Sequence, residues 1–178
     1  MGKKYFVTSD VHSFFDELMV ALNEKGFDED NRDHILCVCG DLFDRGPKTV
    51  ELFDFVKLLR KQGRLIYIRG NHEDLLFDCM DELKRGQIPS SHHRYNKTVK
   101  TICQFCNEHE WIIYEPLWRK DICETMQPVL DFIDKYAVDY AEIGNFILTH
   151  GWVPCYQGLD DFRNATQEDW KRARWDNG

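Results

Sequence analysis

The sequence lacks any apolar run close to the roughly 20 residues that a helix needs to cross a bilayer. It also lacks the long apolar stretch of a signal peptide, since Met-Gly-Lys-Lys is followed only by the short run Tyr5-Phe6-Val7. Proline is scarce, with 5 residues among 178, while 43% of the residues are hydrophobic. This composition is that of a globular domain, and the two absences predict a cytoplasmic protein with no membrane partner.

Excess basic charge is also missing. The chain has 23 lysine and arginine residues against 31 aspartate and glutamate residues, which gives a formal net charge of −8. Proteins that grip a nucleic acid backbone carry basic patches, so nucleic acid is not an expected partner. An acidic protein that handles phosphates needs cations in its site to attract them.

Cysteine usage gives no sign of a disulfide framework or a zinc finger. The chain has seven cysteines, and Cys37 and Cys39 lie in an apolar run where small hydrophobic residues are expected. Cys103-x-x-Cys106 is a single pair without a second pair at zinc-finger spacing. Two buried or half-buried thiols on a helix are therefore the favoured interpretation, and a structural zinc ion is the alternative.

Alternating strand and helix patterns predict an α/β fold in one domain of residues 1–178. Short apolar runs typical of buried strands alternate with segments whose apolar residues recur at helical spacing. The strand runs are 4–9, 34–39 and 64–68, and the helical segments are 13–25 and 48–61. Since such units make parallel, right-handed connections, the core is predicted to be a parallel sheet covered by helices.

Residues 74–141 break this alternation. They are rich in acidic, aromatic and cysteine residues, and their patterns predict helices at about 97–109 and 125–141 but no further strand. We expect them to form a helical insertion beside the core. The buried-strand pattern resumes at 146–149, and the remainder is predicted to be loop-rich with one short helix at about 166–174.

Polar residues with metal-ligand side chains follow four of the apolar runs. They occur in Asp10-x-His12, Gly40-Asp41-x-x-Asp44-Arg45-Gly46, Gly70-Asn71-His72-Glu73 and His150-Gly151. In an open parallel sheet the carboxyl ends of the strands line one edge, where ligands bind. Residues far apart in sequence are therefore expected to meet there. Carboxylate, imidazole and amide side chains without cysteine suit Mn²⁺, Fe²⁺ or Zn²⁺.

These motifs carry a resemblance to the calcineurin-like metallophosphoesterases. The resemblance lies in Ser9-Asp10-Val11-His12, Gly40-Asp41-Leu42-Phe43-Asp44-Arg45-Gly46, Gly70-Asn71-His72-Glu73 and Thr149-His150-Gly151. The Asp-Arg-Gly and Asn-His-Glu endings are similar to the branch that contains serine/threonine protein phosphatases and their bacterial and phage relatives. The resemblance implies a two-sheet β-sandwich flanked by helices.

The same resemblance implies a dinuclear metal centre. Asp10 and His12 would hold the first ion, Asp41 would bridge both ions, and Asn71 with His150 would hold the second. Mn²⁺ is the expected ion, with Fe or Zn as alternatives. A bridging carboxylate agrees with general chemistry, because an anionic oxygen between cations about 3.5–4 Å apart reduces their mutual repulsion.

Further polar residues are assigned to proton transfer and to the phosphate. In the resembling enzymes a histidine placed like His72 pairs with an aspartate placed like Asp44 and protonates the leaving oxygen. A purely structural pair is the alternative. Arg45 and Asn71 are expected to contact phosphate oxygens, although Arg45 could instead form a structural salt bridge. A second phosphate-binding arginine is expected after the His-Gly motif, and the candidates are Arg172 and Arg174.

One motif of the family is missing. The resembling enzymes carry a Gly-His motif near the C-terminus that completes the second metal site, and residues 151–178 contain no histidine. The chain is therefore expected to be shortened at its C-terminus, with an incomplete second sheet. A sheet edge left exposed in this way would favour self-association or a partner.

The residues predict a dimetal-dependent phosphoesterase that hydrolyses phosphate monoesters, including those of serine/threonine phosphoproteins. The expected partner is thus a phosphorylated substrate, either a phosphoprotein or a small phosphoester. A dinucleoside polyphosphate hydrolase shares these motifs and is the alternative among enzymes. An alternative of another class is a catalytically weakened or inactive module that binds metal or phosphate. The missing histidine favours that module, and the intact His72, Asp44 and Arg45 disfavour it.

Overall fold

A four-stranded parallel sheet forms the centre of the molecule in a computed structural model that describes residues 2–155 and 161–176. Its strands are β1 (Lys4–Thr8), β2 (His34–Cys39), β3 (Leu65–Ile68) and β4 (Ala137–Val138). They lie in the order β1-β2-β3-β4, and every neighbouring pair is parallel. The carboxyl ends of the strands therefore share one edge, as expected for an α/β fold.

Two crossover helices, α1 (Phe15–Glu24) and α2 (Thr49–Lys61), connect the first three strands. The apolar side of α2 is buried through Leu52, Val56 and Leu59, which recur at helical spacing. Strand β2 is almost entirely buried, and its continuous apolar run is typical of a strand covered on both faces. The predicted strands and crossover helices are confirmed, with ends that differ by one or two residues.

The segment predicted as a helical insertion lies wholly within the described residues. Its helices are α3 (Asn71–Lys84), α4 (Ser91–Tyr95), α5 (Thr98–Cys106) and α6 (Arg119–Tyr136), with 3-10 turns at Glu110–Tyr114 and Pro116–Trp118. The prediction for this segment needs two corrections, one to where its first helix starts and one to the elements it contains. Helix α3 starts at Asn71, before residue 74, because the Glu73 side chain accepts the Gly70 N–H and caps the first turn. Strand β4 also lies inside the segment, which was predicted to contain none.

The strand predicted at 146–149 is present as β6 (Phe146–Leu148), but its predicted burial is wrong. It pairs antiparallel with β5 (Ala141–Ile143) in a separate two-stranded sheet, and Phe146 is 73% exposed. The strands are joined by Gly144-Asn145, with Gly144 at φ +59°. Such a tight turn favours a local hairpin, so an apolar run here does not imply a core strand.

Helix α7 (Gln167–Trp175) confirms the helix predicted at about 166–174. Thr166 caps its N-terminus by accepting the Asp169 N–H. Trp170 packs in a small aromatic cluster with Tyr140 and Phe162. Residues 156–160 of the loop predicted before this helix lie outside the described residues. Among the helices that the structure describes, none combines the length and apolar character needed to cross a membrane.

The predicted burial of the cysteines is confirmed. Cys37, Cys39 and Cys103 are buried, and Cys106 is half-buried on the same helix as Cys103. Burial in apolar surroundings raises the pKa of Cys37 to about 12 and that of Cys39 to about 11. These two thiols of β2 therefore stay protonated at neutral pH and serve as small hydrophobic residues of the core.

Candidate metal centre

Seven of the predicted site residues gather at the carboxyl edge of the parallel sheet. Three pairs come from this sheet: two residues after β1, two after β2, and two in the first turn of α3, which follows β3. The seventh residue follows β6 of the separate hairpin. In that order the residues are Asp10 and His12, Asp41 and Asp44, Asn71 and His72, and His150. The structure brings them together, while their roles stay predictions.

Asp41 lies between two histidines. Its Oδ2 is 3.6 Å from His12 Nε2, and its Oδ1 is 3.3 Å from His150 Nε2. Asp10 approaches the His12 side of this arrangement, with 3.9 Å between Asp10 Oδ1 and His12 Nε2. Asp41 thus has the imidazole of His12 near one oxygen and that of His150 near the other, which fits a carboxylate shared by two cations.

His12 is held in the form that binds a metal ion. Its Nδ1 lies 2.9 Å from the Phe43 carbonyl oxygen, so Nδ1 carries the proton and donates. Burial lowers the pKa of His12 and keeps the ring neutral. The buried Nε2 has no hydrogen-bond partner among the described residues. A buried, unpaired lone pair is costly, and a cation at this position would satisfy it.

His150 is oriented in the same way. Its Nδ1 lies 2.8 Å from the Cys39 carbonyl oxygen, and its Nε2 lies 2.8 Å from Asn71 Oδ1. With the proton on Nδ1, Nε2 has only a lone pair to offer to the oxygens of Asn71 and Asp41. Three acceptors that face one another are stabilised by a cation between them, and a carbonyl behind the ring is the usual support of a metal-binding histidine.

The surroundings of the Asp41 carboxyl group disfavour its negative charge. Burial, together with the nearby Glu73 carboxylate, raises the pKa of Asp41 to about 6. A bound divalent ion would favour the ionised carboxylate and reverse this shift. The nitrogen and oxygen donors at the site, with no thiolate among them, fit hard or borderline divalent metals.

His72 lies close to the same cluster but has other partners. His12, Asp41 and His72 each offer one ligand atom, and these three atoms all lie within 4.8 Å of one another. However, His72 Nδ1 is 2.7 Å from Asp44 Oδ2, and His72 Nε2 is 3.1 Å from Arg45 Nη2. Burial opposes charge on this ring, but the hydrogen bond to Asp44 and the charges of Asp41 and Asp44 outweigh it and raise the pKa of His72.

The loops that carry the site have an unusual backbone. Six non-glycine residues in them adopt φ values between +48° and +75°, a region that costs free energy for side chains with a Cβ. Such residues cluster at functional sites, where the surrounding structure maintains the strained conformation. The six residues are Asp10, His12, Ser13, Asp41, Asp44 and Arg45.

Two glycines allow the backbone to approach the cluster closely. A Cβ atom on Gly40 would lie 2.4 Å from His150 Nδ1, and a Cβ atom on Gly70 would lie 2.3 Å from Asp41 Oδ1. Both distances are shorter than van der Waals contact, so any larger residue would displace a site side chain. The glycines of these motifs therefore fit the geometry of the cluster itself.

Glu73 supports the site in a way that the sequence analysis did not identify. Its buried carboxylate accepts the N–H groups of Gly70, Asp41 and Leu42 at 2.6, 3.0 and 2.9 Å. It thereby joins the start of α3 to the loop after β2. The signal was present in the sequence, because glutamate at the third helical residue is typical of a capping box.

The predicted phosphate-binding arginines lie in different surroundings. Arg45 is exposed beside His72. Arg174 is buried, with Nε 2.9 Å from Asp74 Oδ2 and Nη1 2.9 Å from Asp139 Oδ1. Arg172 is exposed on the same helix. The contacts of Arg174 are those of a structural ion pair, and phosphate binding by Arg172 and Arg174 stays a prediction.

Comparison with known proteins shows that the chain is similar to phosphoesterases. The sequence model of the family described as calcineurin-like phosphoesterase matches residues 3–176. The asymmetrical bis(5'-nucleosyl)-tetraphosphatase PrpE of Bacillus velezensis is 34% identical over 79 residues, which are 41% of this chain and 32% of that protein. The symmetrical bis(5'-nucleosyl)-tetraphosphatase of Buchnera aphidicola is 31% identical over 121 residues, 66% of this chain and 39% of that protein.

A third relative gives a similar result. The symmetrical bis(5'-nucleosyl)-tetraphosphatase of Psychromonas ingrahamii is 40% identical over 116 residues, which are 65% of this chain and 39% of that protein. The chain thus spans about two fifths or less of the length of the curated relatives that it matches.

Proposed function

The chain belongs to the calcineurin-like phosphoesterase family, and from this premise we propose that it is a phosphoric ester hydrolase that uses two divalent metal ions. The observation that carries the proposal is the position of Asp41 between His12 and His150. A carboxylate with one imidazole on each side fits a shared ligand of two cations. The chemistry that such cations supply is neutralisation of phosphate charge and a lowered pKa of water.

The ligands divide into two groups around the shared carboxylate. Asp10 and His12 would hold one ion together with Asp41, and Asn71 and His150 would hold the other together with Asp41. We propose Mn²⁺ as the ion, with Fe or Zn as alternatives, because the donors are oxygen and imidazole nitrogen. The backbone carbonyls behind both imidazoles fix the ring orientations before any ion binds.

Three further residues act on the substrate or on its proton. Arg45 presents an exposed guanidinium that can bind phosphate oxygens in a bidentate manner. His72 Nε2 lies 3.1 Å from Arg45 Nη2 and would hold the proton for the leaving oxygen once Arg45 has turned to the phosphate, while Asp44 orients the ring and stabilises its charged form. The proximity of Arg45 and His72 supports this assignment, since both groups must reach the same phosphate.

The substrate class follows from the relatives rather than from the site. These relatives are named bis(5'-nucleosyl)-tetraphosphatases, and we therefore propose a dinucleoside polyphosphate as the first substrate to test. Phosphate monoesters, including phosphoproteins, are the second candidate, because the motifs also resemble those of serine/threonine protein phosphatases. The same metal centre can serve both classes.

One comparative assay tests the function and separates the two substrates. The purified chain with Mn²⁺ is given a dinucleoside tetraphosphate, a phosphothreonine peptide and nitrophenyl phosphate, with His12→Asn as the inactive control. We expect metal-dependent hydrolysis with the highest kcat/KM for the dinucleoside tetraphosphate. A preference for the phosphopeptide would select the second candidate. Binding of Mn²⁺ without hydrolysis of any of the three would indicate a non-catalytic module and contradict the proposed function.

A further inference from the structure

Helix α5 supplies two hydroxyl groups to the Asp44–His72 pair. Thr98 Oγ1 lies 2.9 Å from Asp44 Oδ2, and Thr101 Oγ1 lies 2.6 Å from Asp44 Oδ1. Thr101 Oγ1 also accepts the backbone N–H of Asp44 at 3.0 Å, so its own proton is left for the carboxylate. The two threonines are three residues apart on a helix and therefore project from the same face.

The hydrogen bonds to Asp44 lie in a fully enclosed environment. Thr98 is 0% exposed, and Thr101 and Asp44 are each 1% exposed. Burial of an ionised carboxylate is costly unless donors reach its oxygens. Asp44 Oδ2 accepts hydrogen bonds from the Thr98 hydroxyl and from His72 Nδ1–H, and Asp44 Oδ1 accepts one from the Thr101 hydroxyl. Since both oxygens are held, the carboxylate cannot rotate without losing a bond, and its direction fixes that of the imidazole.

The same helix also holds the backbone next to Asp44. Lys100 Nζ donates to the Arg45 carbonyl at 2.8 Å, and Gln104 Nε2 donates to the Gly46 carbonyl at 3.0 Å. Asp44 and Arg45 have φ values of +75° and +60°, and a backbone in this region persists only when its surroundings hold it. Helix α5 therefore fixes both the loop and the carboxylate that the loop carries.

We propose that Thr98 and Thr101 are positioning residues that aim the His72 ring at the leaving oxygen through Asp44. The inference rests on the proposed function, since it takes His72 to be the proton donor of the hydrolysis. It assigns part of the chemistry to helix α5, which carries none of the proposed metal ligands. The threonines act through the carboxylate and not on the phosphate.

The test removes the hydroxyls and keeps the side-chain shape. The double variant Thr98→Val/Thr101→Val is compared with the wild type on an alkyl phosphate and on nitrophenyl phosphate. We expect kcat to fall about tenfold to a hundredfold for the alkyl phosphate, whose leaving oxygen needs a proton. For nitrophenyl phosphate we expect a loss below about threefold, with KM unchanged for both. Serine at both positions should restore kcat, because it keeps the donors.

A second measurement does not depend on hydrolysis. In the metal-free protein, a His72 Nδ1–H bonded to a buried carboxylate gives a far-downfield proton NMR signal. We expect this signal in the wild type and in the double serine variant, and we expect it to move upfield or broaden in the double valine variant. Ile102→Val is the matched control, because it removes buried volume from the same helix without removing a hydroxyl.

The outcomes separate the two proposals. Equal losses of kcat on both substrates, or an Nδ1–H signal that is unchanged in the double valine variant, would overturn the positioning role. If the wild type hydrolyses neither of these substrates and neither the dinucleoside tetraphosphate nor the phosphopeptide, the proposed function fails, and the NMR comparison alone decides whether the threonines position the ring. If the double valine variant does not fold, the single variants carry both measurements.

Discussion

The two ring nitrogens of His72 face different partners, and these partners decide what the ring can do. Nδ1 lies 2.7 Å from the Asp44 carboxylate, which favours the charged ring, and Nε2 lies 3.1 Å from the Arg45 guanidinium, which opposes it. In the proposed mechanism, a phosphate bound by Arg45 draws the guanidinium away from Nε2. The ring can then hold a proton on the nitrogen that faces the leaving oxygen.

Replacing this ring gives a prediction that depends on the leaving group. For His72→Asn, we expect kcat to fall by about 10²–10⁴ for an alkyl phosphate, because the proton donor is lost. The loss should be much smaller for nitrophenyl phosphate, whose leaving group departs as an anion. Steady-state kinetics at saturating Mn²⁺ measure both values. His92→Asn, at an exposed histidine of α4, should leave them unchanged, and equal losses in His72→Asn would make His72 a structural residue.

At the scale of elements, a buried ion-pair network joins α7 to the first turn of α3. The Asp74 carboxylate accepts hydrogen bonds from Arg174 Nε at 2.9 Å and from Arg69 Nε at 3.0 Å. Arg174 Nη1 donates to Asp139 Oδ1 at 2.9 Å. Asp74 lies in the same turn as Asn71 and His72. The network therefore fixes the part of α3 from which two of the proposed site residues project.

Removal of the arginine from this network should destabilise the fold. For Arg174→Met, we expect the free energy of unfolding to fall by about 2–3 kcal/mol, less than for most buried pairs because Asp74 keeps Arg69. Urea unfolding measures the loss. Arg172→Met, at an exposed position of the same helix, should lower the free energy of unfolding by less than Arg174→Met does. Unchanged stability in Arg174→Met together with a raised KM would instead support the prediction that Arg174 binds phosphate.

The elements that were predicted correctly have strong local patterns. The apolar run at 34–39 and the helical spacing at 48–61 each extend over at least six residues, so periodicity identifies them. Strand β4 has only two residues and carries no pattern of its own. The run at 146–149 is apolar, but the Gly144-Asn145 turn pairs it locally, and an apolar run does not indicate which sheet a strand joins.

The residues of the site also differ in whether the sequence alone could predict their positions. Asp41 could be predicted because strand ends in a parallel sheet share an edge. His150 reaches this edge from the separate hairpin, so the argument from the sheet does not apply to it, and the resemblance of Thr149-His150-Gly151 to the family motif is what identified it. Thr98 and Thr101 could not be predicted, because their contacts with Asp44 depend on how α5 packs over a loop 54 and 57 residues earlier in the chain. Threonine inside a helix has no distinctive local pattern, so only the packed structure reveals this role.

At the scale of the whole molecule, the proposed metal centre connects distant parts of the chain. Its ligands come from the loops after β1 and β2, from the start of α3 and from the residue that follows the β5–β6 hairpin. An ion bound by all of these parts binds the folded chain and not the unfolded one. Metal binding is therefore linked to the stability of the fold as a whole.

Metal addition should accordingly raise the melting temperature. At Mn²⁺ concentrations 100 times the Kd, linkage contributes about 2.7 kcal/mol for each bound ion, and each such contribution corresponds to a rise in Tm of roughly 5–10 °C for a chain of this size. Asp41→Asn should lose most of this rise, because it weakens the carboxylate shared by both ions. Scanning calorimetry with and without Mn²⁺ measures the shift, and isothermal titration counts the ions.

A surface substitution of the same type controls for the change in charge. Asp16 lies on α1, with its side chain 64% exposed in an ion pair with Lys48, and Asp16→Asn should keep the full shift in Tm. An undiminished shift in Asp41→Asn would contradict the bridging role of Asp41. Loss of only one of the two bound ions in Asp41→Asn would show that Asp41 contributes unequally to the two metal positions.

The six non-glycine residues with positive φ in the site loops place selection for stability and selection for activity in opposition. At each of them, glycine would relieve backbone strain worth about 1 kcal/mol, and Arg45 is exposed, so Arg45→Gly would lose few packing contacts. A library of variants screened only for heat resistance should therefore drift toward glycine at Arg45. A library screened for turnover should keep five of these side chains, since Asp10, His12 and Asp41 are proposed to bind metal, Asp44 to orient His72, and Arg45 to bind phosphate.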